Sequence, residues 1–588
     1  MKQNRQLPTL ALTLSFALMF GCTSVKETKE DQRLSANGQA RVEAKGQKSI
    51  PPKLEEADMV SAENESLVSA LSPNDAAIKM HQPPLAARKV KLGMEGRRMT
   101  PVPAASQEIG FISPPSHQNL NTESYTPVNE NRFINSRNDP LSTFSIDVDT
   151  ASYANIRRFI NQGNLPPVGS VRIEEMINYF QYDYPEPQKD PFSISIEPGP
   201  CPWNMAHRLV KIGVQAKKIP AQSLPPSNLV FLIDVSGSMN QENKLPLLKK
   251  SILMLVDKMR DTDRIGIVVY AGSDRVVLQS TPGSRRDEII KAIQNLGAGG
   301  STHASSGIHT AYKLAEQGFM PEGNNRVILA SDGDFNVGVT TRGELEKLIT
   351  DKRQAGVFLT VLGFGMGNYH DDTMEILADK GNGNYAYIDS LLEAKKVLIK
   401  EGAGTLFTLA SDVKIQVEFN PALVGAYRLI GYENRVLADE DFRDDKKDAG
   451  EIGLGHSVTA LYEIIPPNGV DIPVVDNLKY GRQAATVSEH MGELLHVKLR
   501  YKPTASSSSL LMVANGMNNE VTLAQTSDDF RFSAAVAGFG LLLKDSEFRG
   551  NLTYPALIDM ARDSRGNDRQ GYRAEFIRIL ETAELLSQ

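Results

Sequence analysis

Asp234, Ser236 and Ser238 stand at alternate positions where the apolar run NLVFLI (228–233) stops abruptly in DVSGSMN. Two further clusters carry similar chemistry: Thr302 in GAGGSTHASSG (297–307) and Asp332 in SDGDFNVG (331–338). Carboxylates and hydroxyls are hard oxygen donors. They suit Mg²⁺ or Mn²⁺ and not zinc, which prefers His and Cys. Mg²⁺ wants near-octahedral oxygens and keeps several waters, so this set leaves at least one coordination position for an external ligand. Two aspartates roughly neutralise a dication and hydroxyls add no charge, so the metal stays electrophilic enough to attract a partner's carboxylate. Gly299 and Gly300 allow close backbone approach. Taken singly, each residue is also a good turn or helix cap.

The surrounding elements decide whether the three clusters meet. From 227 to 401 apolar strands alternate with helices: NLVFLI, KLPLLKKSILMLVDKM, DRIGIVVYAG, RVVLQS, RRDEIIKAIQNL, THASSGIHTAYKLAEQG, NRVILAS, TRGELEKLITDKRQAG, VFLTVLGFG, HDDTMEILADKG, NYAYID and SLLEAKKVLIKE. That alternation predicts a doubly wound, mostly parallel α/β sheet covered on both faces. Ligands of such sheets bind beyond the carboxyl ends of the strands, where all three clusters fall.

On both sides the pattern changes. Before the α/β unit, LSTFSIDVDTASY reads as a strand and ASYANIRRFINQG as a short helix ending at Gly163. VRIEEMINYFQYDY reads as a second helix from its apolar spacing, and PFSISIEPG and RLVKIGVQAK as strands. After it come DVKIQVEFN, AYRLIGYE, SVTALYEIIP and ELLHVKLRYKP, strands without intervening helices, which predict an antiparallel β-sandwich. Strands on both flanks suggest an α/β domain inserted into, or docked on, a sandwich built from both. The end of the chain, from FRFSAAVAGFGLLLKD onward, reads as helical, and its apolar run is too short to span a membrane.

D-V-S-G-S, the later Gly-rich loop with Thr302, and Asp332 in S-D-G resemble the metal-ion-dependent adhesion site of von Willebrand factor type A (VWA) domains. The resemblance implies a Rossmann-like fold and makes Asp234, Ser236, Ser238, Thr302 and Asp332 metal ligands, directly or through water. The whole chain resembles bacterial lipoproteins that place such a domain between an N-terminal associated module and a C-terminal region of unassigned function. The implied organisation is a signal peptide over 1–22, a disordered stalk over 23–130, the associated module with flanking strands over 131–226, the VWA domain over 227–402, and the sandwich with C-terminal helices over 403–588.

The N-terminus MKQNRQLPTLALTLSFALMFGCTS has Lys2 and Arg5, an apolar stretch and then Gly21-Cys22, the layout of a secretory signal. It resembles a bacterial lipobox in which Cys22 is acylated, although Met19 and Phe20 depart from the usual Leu and small residue. By resemblance to Gram-negative lipoproteins, Thr23 after the cysteine points to the outer membrane. Residues 23 to about 130 are polar, rich in Pro, Ser, Asn and Glu, and without periodicity. A coil of that length spans on the order of 60 Å, which gives a tethered domain reach.

At 588 residues the chain needs several cores. A net charge of −7 gives no sign of a nucleic-acid partner, since phosphate binders usually show a basic face. Two cysteines make no disulfide framework, and Cys201 in GPCPWN is expected to be a buried or inert thiol.

Rival motifs are weaker. Asp147 and Asp149 in DVDTASY resemble a phosphatase nucleophile motif, but Thr150 is misplaced, and a helix N-cap by Asp149 or Thr150 is the plainer expectation. G-F-G-M-G-N (363–368) lies on too late a strand for a dinucleotide loop. Ser236 lacks the G-x-S-x-G elbow of a hydrolase nucleophile. His303 and Asp334 are expected at the surface near the site. The expectation is therefore a non-enzymatic, metal-dependent binding or adhesion module of the bacterial envelope, its partner a protein offering an acidic side chain, with no small-molecule substrate. The alternative is an envelope scaffold whose metal is structural or lost, and more remotely a metal-dependent hydrolase.

Overall fold

The computed structural model of the chain describes residues 123–126, 129–299, 305–333, 342–366, 369–474, 490, 492–504 and 507–588. Cys22, the signal segment, most of the stalk, Thr302, His303 and Asp334 lie outside the described residues.

The chain opens with β1 (Ile134–Asn135), β2 (Leu141–Ser145), α1 (Ala151–Asn161), α2 (Ile173–Asn178), β3 (Phe192–Pro200) and β4 (Arg208–Ala216). The α/β unit follows as β5 (Ser227–Asp234), α3 (Leu245–Lys258), β6 (Arg264–Ala271), β7 (Ser273–Pro282), α4 (Arg286–Gln294), α5 (Ser305–Gln317) and β8 (Asn324–Ser331). It continues with α6 (Arg342–Gln354), β9 (Phe358–Phe364), α7 (Asp371–Lys380), β10 (Tyr385–Ile388), α8 (Leu391–Lys395) and α9 (Gly402–Leu406). Then come β11 (Thr408–Phe419), β12 (Ala426–Ile430), β13 (Val436–Leu437), β14 (Gly450–Gly453), β15 (Ser457–Ile465), β16 (Glu493–Lys502) and β17 (Leu510–Met517). Three helices finish the chain: α10 (Asp528–Leu543), α11 (Tyr554–Asp563) and α12 (Tyr572–Leu586).

The central sheet has the order β10-β9-β8-β5-β6-β7. Its neighbours are parallel except the β6–β7 hairpin at one edge. β5 and β8 are buried along their whole length, which explains why NLVFLI and NRVILAS are continuous apolar runs and not alternating ones. One face packs on Leu248, Ile252 and Ile289 of α3 and α4, the other on Ile308, Leu345 and Met374 of α5, α6 and α7.

Two antiparallel sheets, β1-β12-β15-β4-β3 and β13-β2-β11-β16-β17, share a core that includes Phe144, Ile212, Ile415, Tyr462 and Val497. β2 pairs with β11 and β4 with β15, so both sheets draw strands from either side of the α/β unit. The α/β unit is thus inserted into the sandwich. The terminal helices do not stand apart either. Tyr153 of α1, Ile177 of α2 and Phe180 just past it share one apolar cluster with Phe532 and Phe576 of α10 and α12. α10 is buried nearly all round, so its AAVAGFGLLL run is core. A Cβ at Gly540 would lie 2.7 Å from Ile173 Cγ1, which is how closely α10 meets α2. Among the described residues no helix is long and apolar enough to cross a membrane.

Three local expectations fail. VRIEEMINYFQYDY is helical only over Ile173–Asn178. Beyond it Tyr184 fills the space that a side chain at Gly213 would need, and its hydroxyl lies 2.8 Å from Thr459 Oγ1, so tertiary packing overrides helical spacing. SLLEAKKVLIKE is α8 followed by a π turn over Lys396–Lys400. Thr150 is the N-cap residue of α1 without a side-chain cap bond, and Asp149 instead accepts from the Tyr385 N–H at 2.8 Å. β17 was not among the expected strands: LLMVANGM breaks alternation at Leu510-Leu511 and carries Asn-Gly.

Candidate metal site

β5 and β8 are adjacent, and their pairing runs to Ile233–Ala330. Asp234 closes β5 opposite Tyr270 of β6, and Asp332 follows Ser331 at the end of β8. Parallel register thus brings two aspartates from distant sequence to one sheet edge, where both are buried. The Ser236 N–H donates to Asp234 Oδ1 at 2.8 Å and turns the chain over the carboxylate. Ser236 Oγ and Ser238 Oγ are 2.9 Å apart. Ser236 is buried and Ser238 exposed, so the site runs from a carboxylate floor to a hydroxyl rim at solvent. The Gly299 N–H donates to the Val235 carbonyl at 2.7 Å, which ties the Gly-rich loop to the first loop. Thr302, three residues further on, lies outside the described residues. Gly333, at φ +96°, would bring a Cβ to 2.6 Å from Tyr369 Cα, so only glycine allows the turn after Asp332.

Burial pushes the Asp234 carboxyl up to about 6, against the opposing pull of its Ser236 hydrogen bonds, and the nearby Asp332 charge adds to the rise. Asp234 Oδ2 and Asp332 Oδ1 are buried with no well-formed hydrogen bond among the described residues. Leaving a buried carboxylate oxygen orphaned is costly, and a bound cation would remove that cost. The donor set therefore fits a hard divalent cation: two buried aspartates below and two serine hydroxyls above, the outer one exposed.

One residue here escaped sequence reasoning. Lys244, the residue just before α3, donates from Nζ to Asp332 Oδ2 at 2.8 Å, with its side chain only 3% exposed. Its stem crosses Gly365, at φ +77°, where a Cβ would collide with it. Gly363 makes room in the same way for Tyr369. These glycines of G-F-G-M-G-N thus serve side-chain packing. The one signal available was a lysine ahead of the Leu245-Pro246 helix start, which reads as an ordinary solvated charge.

Asp147, Glu175 and Glu375 form a second carboxylate group, with oxygens within 4.8 Å of one another. Arginines interleave it. Arg435 Nε donates to Asp147 Oδ2 at 3.0 Å, and Arg172 Nη1 to Glu175 Oε1 at 3.0 Å. Arg172 Nη2 lies 2.9 Å from Glu375 Oε2, and Asp371 pairs with the same guanidinium. This is an ionic network at the joint of the flanks and α7. Cys201 is a buried free thiol pushed up by burial, which fits the expected inert role. The described contact of Ser236 and Ser238 is with each other, not with a histidine base.

The sheet with this loop set at its carboxyl edge is a VWA fold, and residues 228–400 match the von Willebrand factor type A domain family. Residues 119–211 match a family described as von Willebrand factor, and residues 404–586 the one described as uncharacterized protein YfbK, C-terminal. The chain is 44% identical over 476 residues to the "Uncharacterized protein YfbK" of Escherichia coli (strain K12), covering 79% of this chain and 82% of that protein. It belongs to that family of bacterial VWA proteins with a YfbK C-terminal region. Human inter-alpha-trypsin inhibitor heavy chain H3 is 28% identical over 173 residues, 28% of this chain and 19% of that protein. Among solved structures, a von Willebrand factor type A protein from Catenulispora acidiphila is 16% identical and covers 66% of this chain and 89% of that one, with a TM-score of 0.36. The VWA domain supports a protein-interaction or adhesion module, and the relatives suggest non-catalytic ones.

Proposed function

We propose that the α/β domain binds a macromolecular partner through Mg²⁺ or Mn²⁺. Asp234, Ser236, Ser238, Thr302 and Asp332 hold the ion, directly or through water, and an acidic side chain of a protein partner completes its sphere. The bound ion supplies a positive centre that a carboxylate can reach. The chain's own residues do the rest: the aspartates set the charge of the floor, the Asp234–Ser236 turn aims both hydroxyls, and exposed Ser238 leaves the approach open. The observation that carries this reading is the pair of buried carboxylate oxygens, Asp234 Oδ2 and Asp332 Oδ1, which meet at one sheet edge with no well-formed hydrogen bond among the described residues. Titration calorimetry of Mg²⁺ and Mn²⁺ into the chain tests it. Saturable binding lost in both Asp234→Ala and Thr302→Ala supports the site; binding that survives both rejects it.

We further propose a lipid anchor at Cys22 in the bacterial outer membrane, supported by the layout of residues 1–23. Mass spectrometry of the N-terminal peptide tests it: an unacylated mature N-terminus would reject the anchor. A second reading, an envelope scaffold without exchangeable metal, is favoured by one observation, the ammonium of Lys244 already resting on Asp332.

A further inference from the structure

Lys244 brings a positive charge to the floor of a site whose donors otherwise call for a cation. Its ammonium sits on Asp332 Oδ2 at 2.8 Å, while Asp332 Oδ1 and Asp234 Oδ2 make no well-formed hydrogen bond among the described residues. Among Asp234, Asp332 and Lys244 the charges sum to −1 when both aspartates are ionised. A dication brought to the orphaned oxygens faces that ammonium at short range in a buried setting, where charges are poorly screened.

Most lysines would relieve such repulsion by swinging to solvent, since the stem has four rotatable carbons and the head is strongly hydrated. Lys244 is held. Its stem lies in the channel left by the missing Cβ of Gly365, and its side chain is 3% exposed. The glycine is at φ +77°, so the backbone there has the conformation that keeps the channel open. The neighbouring packing thus fixes the ammonium at Asp332 in place.

We propose that Lys244 is a built-in counter-cation of the candidate metal site, one that weakens the hold on a bare divalent ion. The inference rests on the metal-site reading above. Asp234 and Asp332 without Lys244 form a floor of charge −2 and take Mg²⁺ tightly; with Lys244 they form a floor of −1 and take it weakly.

The test uses Mg²⁺ alone as the probe, titrated calorimetrically into the parent chain, Lys244→Met and Lys244→Gln. Both replacements keep an unbranched stem over Gly365 and remove the charge. The expected result is Mg²⁺ binding at least tenfold tighter in Lys244→Met, a tightening of the same direction in Lys244→Gln, and its loss when Asp234→Ala is added. A purely structural lysine would lower the unfolding temperature without raising metal affinity. Binding equal to or weaker than the parent's in both folded variants overturns the proposal and leaves the metal site standing. No Mg²⁺ binding by the parent or by either variant overturns both.

Discussion

Arg435 and Asp147 are 288 positions apart, yet Arg435 Nε donates to Asp147 Oδ2 at 3.0 Å. The same guanidinium donates to Asp379 Oδ2 on α7 at 2.6 Å and to Glu375 Oε1 at 3.2 Å. One side chain from the segment after β12 thus joins the N-terminal flank to the inserted α/β unit. Removing one partner of a buried ionic network leaves the others uncompensated, typically at a cost of about 3–5 kcal/mol. Arg435→Met is therefore expected to lower stability by that order, read as a fall in the urea midpoint. A change below about 1 kcal/mol would mean that the network does not hold the joint.

His456 should make the fold acid-sensitive. It is partly buried, its Nδ1 has no well-formed hydrogen bond among the described residues, and it fills the space that a side chain at Gly404 would need. Burial, aided by the charge of Lys396, holds it down to about 4 from an ordinary 6.5. The unfolded chain takes up the proton first. Its stabilisation is present above about pH 6.5 and is lost as pH falls toward 4, about 3 kcal/mol in all. Urea unfolding of the parent and His456→Gln at pH 7 and pH 4.5 checks this: the gap between them should shrink or reverse at the lower pH. A gap independent of pH would contradict it.

Glu174 acts in the opposite direction. Its two carboxyl oxygens have no well-formed hydrogen bond among the described residues, and burial beside Glu433 and Asp147 pushes it up to about 8 against the pull of the Tyr432 backbone N–H. The folded state keeps the proton that the unfolded chain releases near 4.5. The associated stability is full below about pH 4.5 and is lost as pH rises through 8. Glu174→Gln, which is neutral throughout, should gain on the parent by a few kcal/mol between pH 5 and pH 8.5 in unfolding measurements. A constant difference would show that Glu174 is already ionised in the fold.

Gly365→Ala should disturb two things at once. The residue sits at φ +77°, and an added Cβ runs into the Lys244 stem. Left-handed backbone alone costs a non-glycine residue about 1–2 kcal/mol, and displacing Lys244 strips Asp332 of its one described cationic partner. A lower unfolding temperature is expected, and unchanged stability would mean that the lysine readily takes another path.

The sequence made the scaffold of the site legible because the scaffold rests on local pattern. NLVFLI and NRVILAS are continuous apolar runs, and such runs between helices imply a covered parallel sheet whose carboxyl edge gathers the loops leaving each strand. Pattern alone therefore places Asp234 and Asp332 together. Strands on both flanks likewise signalled the insertion. Features set by distant partners were not legible. Lys244 looks like a surface charge until β8 and Gly365 surround it. Tyr182 and Tyr184 continue a helical spacing, yet they are drawn into cores that end the helix at Asn178. Arg435 carries no local sign of Asp147, nor Arg172 of Asp371 and Glu375.

The most direct test of the central claim is anomalous diffraction from crystals of the chain grown in Mn²⁺. The account predicts one strong manganese peak at the carboxyl edge of β5 and β8, among Asp234, Ser236, Ser238 and Asp332, which would hold the ion directly or through water. No peak there at saturating Mn²⁺, or a peak only among Asp147, Glu175 and Glu375, would contradict it.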